Sequence, residues 1–125
     1  YLWPDQPHRM ELTRAAISAL EAEIDQADAI DWLETRLETA PDGHLHLIYH
    51  TIAWQYFPPD VQARGTALIE AAGTQATDSR PLAWLAMEAD GNPKGAALTV
   101  RLWPGDLQVS LARADFHGRW IRWEG

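Results

Sequence analysis

The stretch His44-Leu-His-Leu-Ile-Tyr-His-Thr-Ile-Ala-Trp-Gln-Tyr-Phe57, followed by Pro58-Pro59-Asp60, restricts the fold more than any other part of the chain. From Leu45 to Thr51 the residues split with period two, Leu45, Leu47 and Tyr49 on one side and His44, His46, Ile48 and His50 on the other. That alternation predicts a β-strand. Aromatic residues then replace the alternation, and two prolines forbid further strand while suiting the first turn of a helix. Strand, aromatic loop and helix in immediate succession form the beginning of a β-α-β unit. In open α/β sheets ligands bind outside the carboxyl ends of strands, so chemistry is expected where this strand ends. A parallel strand buried on both faces is apolar on both. The histidine face therefore marks either a strand near the sheet edge or a polar face with a task.

Helical and strand patterns alternate around this unit. Tyr1 to Pro7 reads as a turn-rich loop in which Asp5 or Gln6 caps a helix and Pro7 enters its first turn. From His8 to about Glu23, Leu12, Ala16, Ala19 and Leu20 recur at helical spacing, with Met10, Thr13 and Ile17 widening the stripe and Arg9, Arg14 and Glu21 outward. Glu23 to Ala27 reads as a short strand. Asp28 caps a second helix whose stripe is Ile30, Leu33 and Leu37, ended by Pro41-Asp42-Gly43. The third helix is expected from Pro59 to Ala72, with Val61, Leu68, Ile69 and Ala72 inward and Gly73 at its C-terminal cap. Leu82 to Glu88 is a compact apolar strand, and the turn residues Asp90 to Gly95 follow it. Leu98, Val100 and Leu102, then Leu107, Val109 and Leu111, alternate around Pro104-Gly105-Asp106 as a β-hairpin. Asp115 to Gly118 marks a bulge or second turn before a last strand at Arg119 to Trp123. Three helices, parallel strands with right-handed crossovers and a terminal antiparallel hairpin make a Rossmann-like α/β domain spanning 1–125.

Charge and composition exclude several functions. A net charge of −8, with ten scattered basic residues, is unsuited to a nucleic-acid backbone. No apolar run approaches the roughly 20 residues of a membrane span. The absence of cysteine removes disulfides, thiolate metal sites and cysteine nucleophiles. No signal peptide is visible, so a cytoplasmic, bacterial setting is expected. The first residue is Tyr1, not Met, and the chain reads as the middle of something longer.

Two resemblances follow from these residues. Asp28-Ala29 at an acidic position, His50 to Trp54 as a loop after a strand, and the hairpin from Ala96 to Arg113 resemble the C-terminal half of class I S-adenosylmethionine-dependent methyltransferases. Leu2-Trp-Pro-Asp-Gln6 with Arg9, Asp28-Ala29 before Trp32-Leu33, His50 to Tyr56, Trp103-Pro104-Gly105, and His117-Gly118 with Trp120 and Trp123 resemble a bacterial family, domain of unknown function 2332. That family is itself similar to the methyltransferase fold. The resemblance implies S-adenosylmethionine as cofactor, contacted by Asp28, Ala29 and Trp54, and a small-molecule substrate. It also implies a missing N-terminal half that would carry a glycine-rich cofactor loop. Gly91, Gly95, Gly105 and Gly118 sit in turn sequences and supply no substitute.

The residues themselves offer four candidates for catalysis at the strand ends. His50, with Trp54 and Tyr56, makes a titratable group among aromatic rings, a setting for a flat or cationic ligand. The alternative is that Trp54, Tyr56 and Phe57 pack the third helix while His50 bonds the backbone. Glu88 closes an apolar strand and is a general base if burial raises its pKa; otherwise it is the first residue of a turn. His117 joins the same edge, with Gly118 permitting a bulge. Asp28 either meets a nucleoside's polar edge or serves only as a helix cap. No metal site is expected, because His46 and His50 lie about 13 Å apart at strand rise. Trp103, Trp120 and Trp123 would be exposed by an incomplete sheet, which predicts a homo-oligomer or a covering segment. The functional expectation is a methyltransferase-like domain acting on a small molecule, and the alternative is a non-catalytic interaction module.

Overall fold

The computed structural model describes residues 6–124, so the Leu2-Trp-Pro-Asp5 part of the opening motif and the Asp5 cap lie outside the described residues. Helices α1 (His8–Ser18), α2 (Ala29–Leu37) and α3 (Pro59–Thr74) accompany strands β1 (His46–Thr51), β2 (Leu82–Glu88), β3 (Ala96–Trp103), β4 (Leu107–Ala114) and β5 (Ile121–Trp123). The strands form one sheet in sequence order, β1-β2-β3-β4-β5. Among the described residues only β1 and β2 run parallel, joined through α3, and the other pairs are antiparallel. The expectation of several parallel strands is corrected to a single parallel pair. Glu23 to Ala27 forms no strand: Ile24 stands in solvent, and no neighbouring strand reaches it. Among the described residues no helix is long and apolar enough to cross a membrane.

The core lies between the sheet and two helices. Leu33 of α2, Ile69 of α3, Leu82 of β2 and Trp103 of β3 are buried against one another, with Ile48, Trp54 and Trp84 packed around them. Trp103, expected to be exposed, is instead central. It lies flat on α3 because Gly73 has no side chain: a Cβ there would sit 2.5 Å from the indole. Gly73 thus lies inside α3, buried one turn after Ile69, and is not its cap. Gly65, buried one turn before Ile69, makes the same kind of room for Trp54 and Ile30. This i, i+4, i+8 row of Gly, Ile and Gly lets the α3 backbone approach closely.

The two ends of the chain depart from the expected pattern. α1 stops at Ser18 and buries no residue, so its apolar stripe is not packed. Pro7 occupies the N-cap, with no side-chain cap from Gln6. Asp115 to Gly118 is a turn closed by Gly118 N–H donating to Asp115 O, and the bulge lies instead where the β3–β4 register slips at Leu98/Thr99. Trp120 and Trp123 are exposed.

Candidate functional site

β1 is an edge strand, and its histidine face is the packed one; Leu47 and Tyr49 face solvent. His50, near the carboxyl end of β1, and Glu88, at that of β2, therefore meet on the helix-covered side. His50 Nδ1 lies 2.7 Å from Glu88 Oε1. On the ring's other side, Trp84 Nε1–H donates to His50 Nε2 at 2.9 Å. An indole nitrogen only donates, so Nε2 must accept, and the hydrogen sits on Nδ1 and points at Glu88. Trp54 stacks on the imidazole with centroids 4.7 Å apart and interplanar angle 23°. Both ring nitrogens are thus engaged.

Glu88 does more than end a strand. Its Oε1 also accepts from the backbone amides of Ala53 and Trp54, at 2.9 and 3.0 Å. These contacts hold the loop that leaves β1, where Ile52 has φ of 48°. A β-branched residue in the left-handed region costs roughly 1–2 kcal/mol. Ile52 N–H donating to Met87 O at 2.8 Å, together with the Glu88 contacts, offsets that cost. Burial pushes the Glu88 carboxyl up. The two amides and His50 outweigh it, and the net shift is downward. The reading of Glu88 as a base with a raised pKa is therefore corrected: it is a carboxylate acceptor.

On the other side of the 52–56 loop opens a cleft of about 450 Å³, lined by Arg9, Thr51, Ile52, Tyr56, Met87, Phe116, His117 and Gly118. It sits outside the carboxyl ends of the parallel pair. His117 is placed there by the turn after β4, where Asp115 accepts from the backbone amides of His117 and Arg119. The Arg119 guanidinium holds the Asp115 carboxyl below its ordinary range, against the opposing effect of burial. Arg9 enters this cleft from the first turn of α1, a contribution that helical periodicity alone, which set it outward, could not reveal.

The residues expected to form one site thus fall into two groups. His50, Glu88 and Trp54 share the hydrogen-bonded and stacked cluster on the helix side. Tyr56 and His117 line the cleft across the loop. Asp28 serves α2: its Oδ1 accepts from Ile30 and Asp31 amides, at 3.0 and 3.1 Å, and Ala29 is the first helical residue. Ile30 closes over Gly65 beside Trp54, which brings the start of α2 behind the cluster. Trp84 was missed in sequence because it belongs to an apolar run in which nothing distinguishes a donor from a core residue. A smaller hollow of about 250 Å³ lies between the α2 and α3 C-termini and holds His46 with Arg80. Among the described residues no three His, Asp or Glu side chains are grouped to hold a metal ion.

S-adenosylmethionine, the cofactor that the methyltransferase resemblance implies, fits these residues poorly. Asp28 is committed to its helix cap, and Trp54 is packed among His50, Phe57 and Trp84. The described glycines with positive φ stand outside any turn from a strand into a helix. No curated protein and no solved structure matches the chain. The loop after β1, the Trp103-Pro104-Gly105 turn and the His117-Gly118 turn all fall within one family model that matches residues 1–123, and the chain belongs to that family, described as an uncharacterized protein conserved in bacteria (DUF2332).

Proposed function

We propose that this chain forms part of a methyltransferase-like domain of the bacterial cytoplasm and binds a small molecule in the cleft beside Tyr56 and His117. The observation that carries the reading is the strained Ile52 loop, held by Glu88 at the carboxyl ends of the parallel pair and opening onto that cleft. Strained backbone clusters at functional sites, and ligands of open α/β sheets bind outside the carboxyl ends of the strands. In this reading Tyr56 and His117 face the ligand. His50 and Glu88 position the loop, since both nitrogens of the imidazole are already engaged. The cofactor's own pocket requires groups beyond Asp28, Ala29 and Trp54.

Calorimetric titration of S-adenosylmethionine into this chain and into the full natural gene product tests the proposal. Binding by the full product and none by this chain is expected. No heat from either would overturn the methyltransferase reading. The second reading, an interaction module that retains the fold without cofactor, is favoured by the closed hydrogen bonding of His50 and would then stand.

A further inference from the structure

The cleft beside the Ile52 loop has a chemical character of its own. Arg9, Thr51, Tyr56 and His117 give it hydrogen-bond donors, and Ile52, Met87 and Phe116 give it apolar surface. Among the described residues no Asp or Glu lines it, although the chain holds 18 acidic side chains against 10 basic ones. The two carboxylates next in sequence to its walls are committed elsewhere. Glu88 accepts from His50 and from the Ala53 and Trp54 amides. Asp115 holds its own turn together and is paired with the Arg119 guanidinium at 3.1 Å.

The backbone brings the cationic side of the cleft together. A Cβ on Gly118 would stand 3.0 Å from Arg9 Nη2, so the guanidinium lies against the turn that carries His117. Gly118 has φ of 71°, a conformation that glycine adopts without steric clash. A guanidinium has five N–H donors and a carboxylate engages two of them, so Arg9 can take a ligand and keep another contact. The cleft's volume of about 450 Å³ is far more than a bare ion fills, since a water's share of the liquid is about 30 Å³. The remaining room is bounded by the rings of Tyr56 and Phe116, 73% and 36% exposed. Exposed aromatic faces favour a flat partner. The net charge of −8 does not decide against an anion there, because exposed charges more than about 10 Å away are screened at roughly 0.1 M salt.

Resting on the reading that this cleft holds a small molecule, we infer that the molecule is a flat organic anion, its carboxylate or phosphate on Arg9 and His117 and its ring against Tyr56 and Phe116. An anionic head gains charge-assisted, two-pronged hydrogen bonds from the guanidinium. A neutral amide of the same shape gains less, and an amidinium is repelled.

Benzoate, benzamide and benzamidine share one shape and differ in charge, and phenyl phosphate separates a phosphate source from a carboxylate one. The chain has two methionines, Met87 in the cleft and Met10 outside its lining, so isotopic labelling of their methyls gives NMR a site probe and a control. Benzoate or phenyl phosphate should shift Met87 saturably and leave Met10 in place, with benzamide and benzamidine at least about 10-fold weaker. The tighter of the two anions names the source. Arg9→Gln should weaken the anion at least about 10-fold. Because α1 buries no residue, far-UV circular dichroism of that variant should be unchanged. Arg36→Gln removes a cation from the separate hollow beside His44 and His46, and should leave anion binding as it was. Benzamide or benzamidine binding as tightly as benzoate overturns the anion and leaves the cleft a small-molecule site. Anion binding that survives Arg9→Gln, or is lost with Arg36→Gln, also overturns the proposal. Met87 unmoved by every probe overturns it too, while the methyltransferase reading is decided separately by the S-adenosylmethionine titration.

Discussion

Glu88 is the residue on which most of the site's local geometry converges. One oxygen accepts from an imidazole and two consecutive amides, and the other is buried with no hydrogen-bond partner. Glu88→Ala would strand three donors, and each stranded donor carries a desolvation penalty of about 1–3 kcal/mol. Relaxation of the half-buried loop reduces the sum, so urea titration should show a loss of about 2–4 kcal/mol. The same carboxylate gives an acid sensitivity. Its folded pKa lies below its ordinary value of 4.5. The stability it contributes is therefore fully present above that pH and is lost as pH falls through the lower folded value. Urea titrations from pH 6 to 3 should show a shallower decline for Glu88→Gln than for the natural chain; parallel declines would mean Glu88 does not titrate differently on unfolding. Trp84 fixes the imidazole's other nitrogen. Nitrogen NMR of His50 should show hydrogen on Nδ1 and a bare Nε2, and Trp84→Phe should cost about 1 kcal/mol by removing one hydrogen bond.

At the level of elements, α3 is the part whose sequence misleads most. Gly73 follows an apolar stripe and looks like a helix end, yet Trp103 from β3 needs that position empty. Gly73→Ala would ordinarily gain up to about 1 kcal/mol in helix propensity. Here the added methyl meets a rigid indole, and overpacking costs about 1–3 kcal/mol. We expect net destabilisation, read as a lower urea midpoint with unchanged slope. A gain in stability would show that Trp103 can move. β1 illustrates the complementary lesson. Its period-two split was plain, but periodicity cannot say which face is inside, because Leu and His faces are both compatible with burial when Glu88 and Trp84 supply partners. The Asp28 cap and the strand from Leu82 to Glu88, by contrast, were legible residue by residue, since caps and short apolar runs depend on neighbours in sequence.

Across the whole molecule, stability is unevenly distributed. β2 and β3 are paired on both sides and border the Leu33–Ile69–Leu82–Trp103 core, whereas β5 spans three residues at an edge, all exposed. Amide hydrogen exchange should be slowest at the centres of β2 and β3 and fastest in β5. Equal protection of β5 and β3 would contradict this picture and place an additional strand or partner on the β5 edge.

The sequence by itself determined the kinds and order of the elements: three helices, the β1–α3–β2 unit and the β3–β4 hairpin. These depend on periodicity, proline, glycine and capping groups, all acting within a few residues. It also singled out His50, Tyr56, Glu88 and His117, of which the first and third meet in a hydrogen bond and the other two line the cleft. Only the tertiary structure decided that the parallel pairing among the described strands stops at β1 and β2, that Glu88 grips the loop after β1, and that His50 and His117 lie on opposite sides of that loop. Those outcomes join residues tens of positions apart, and only packing in three dimensions selects among them.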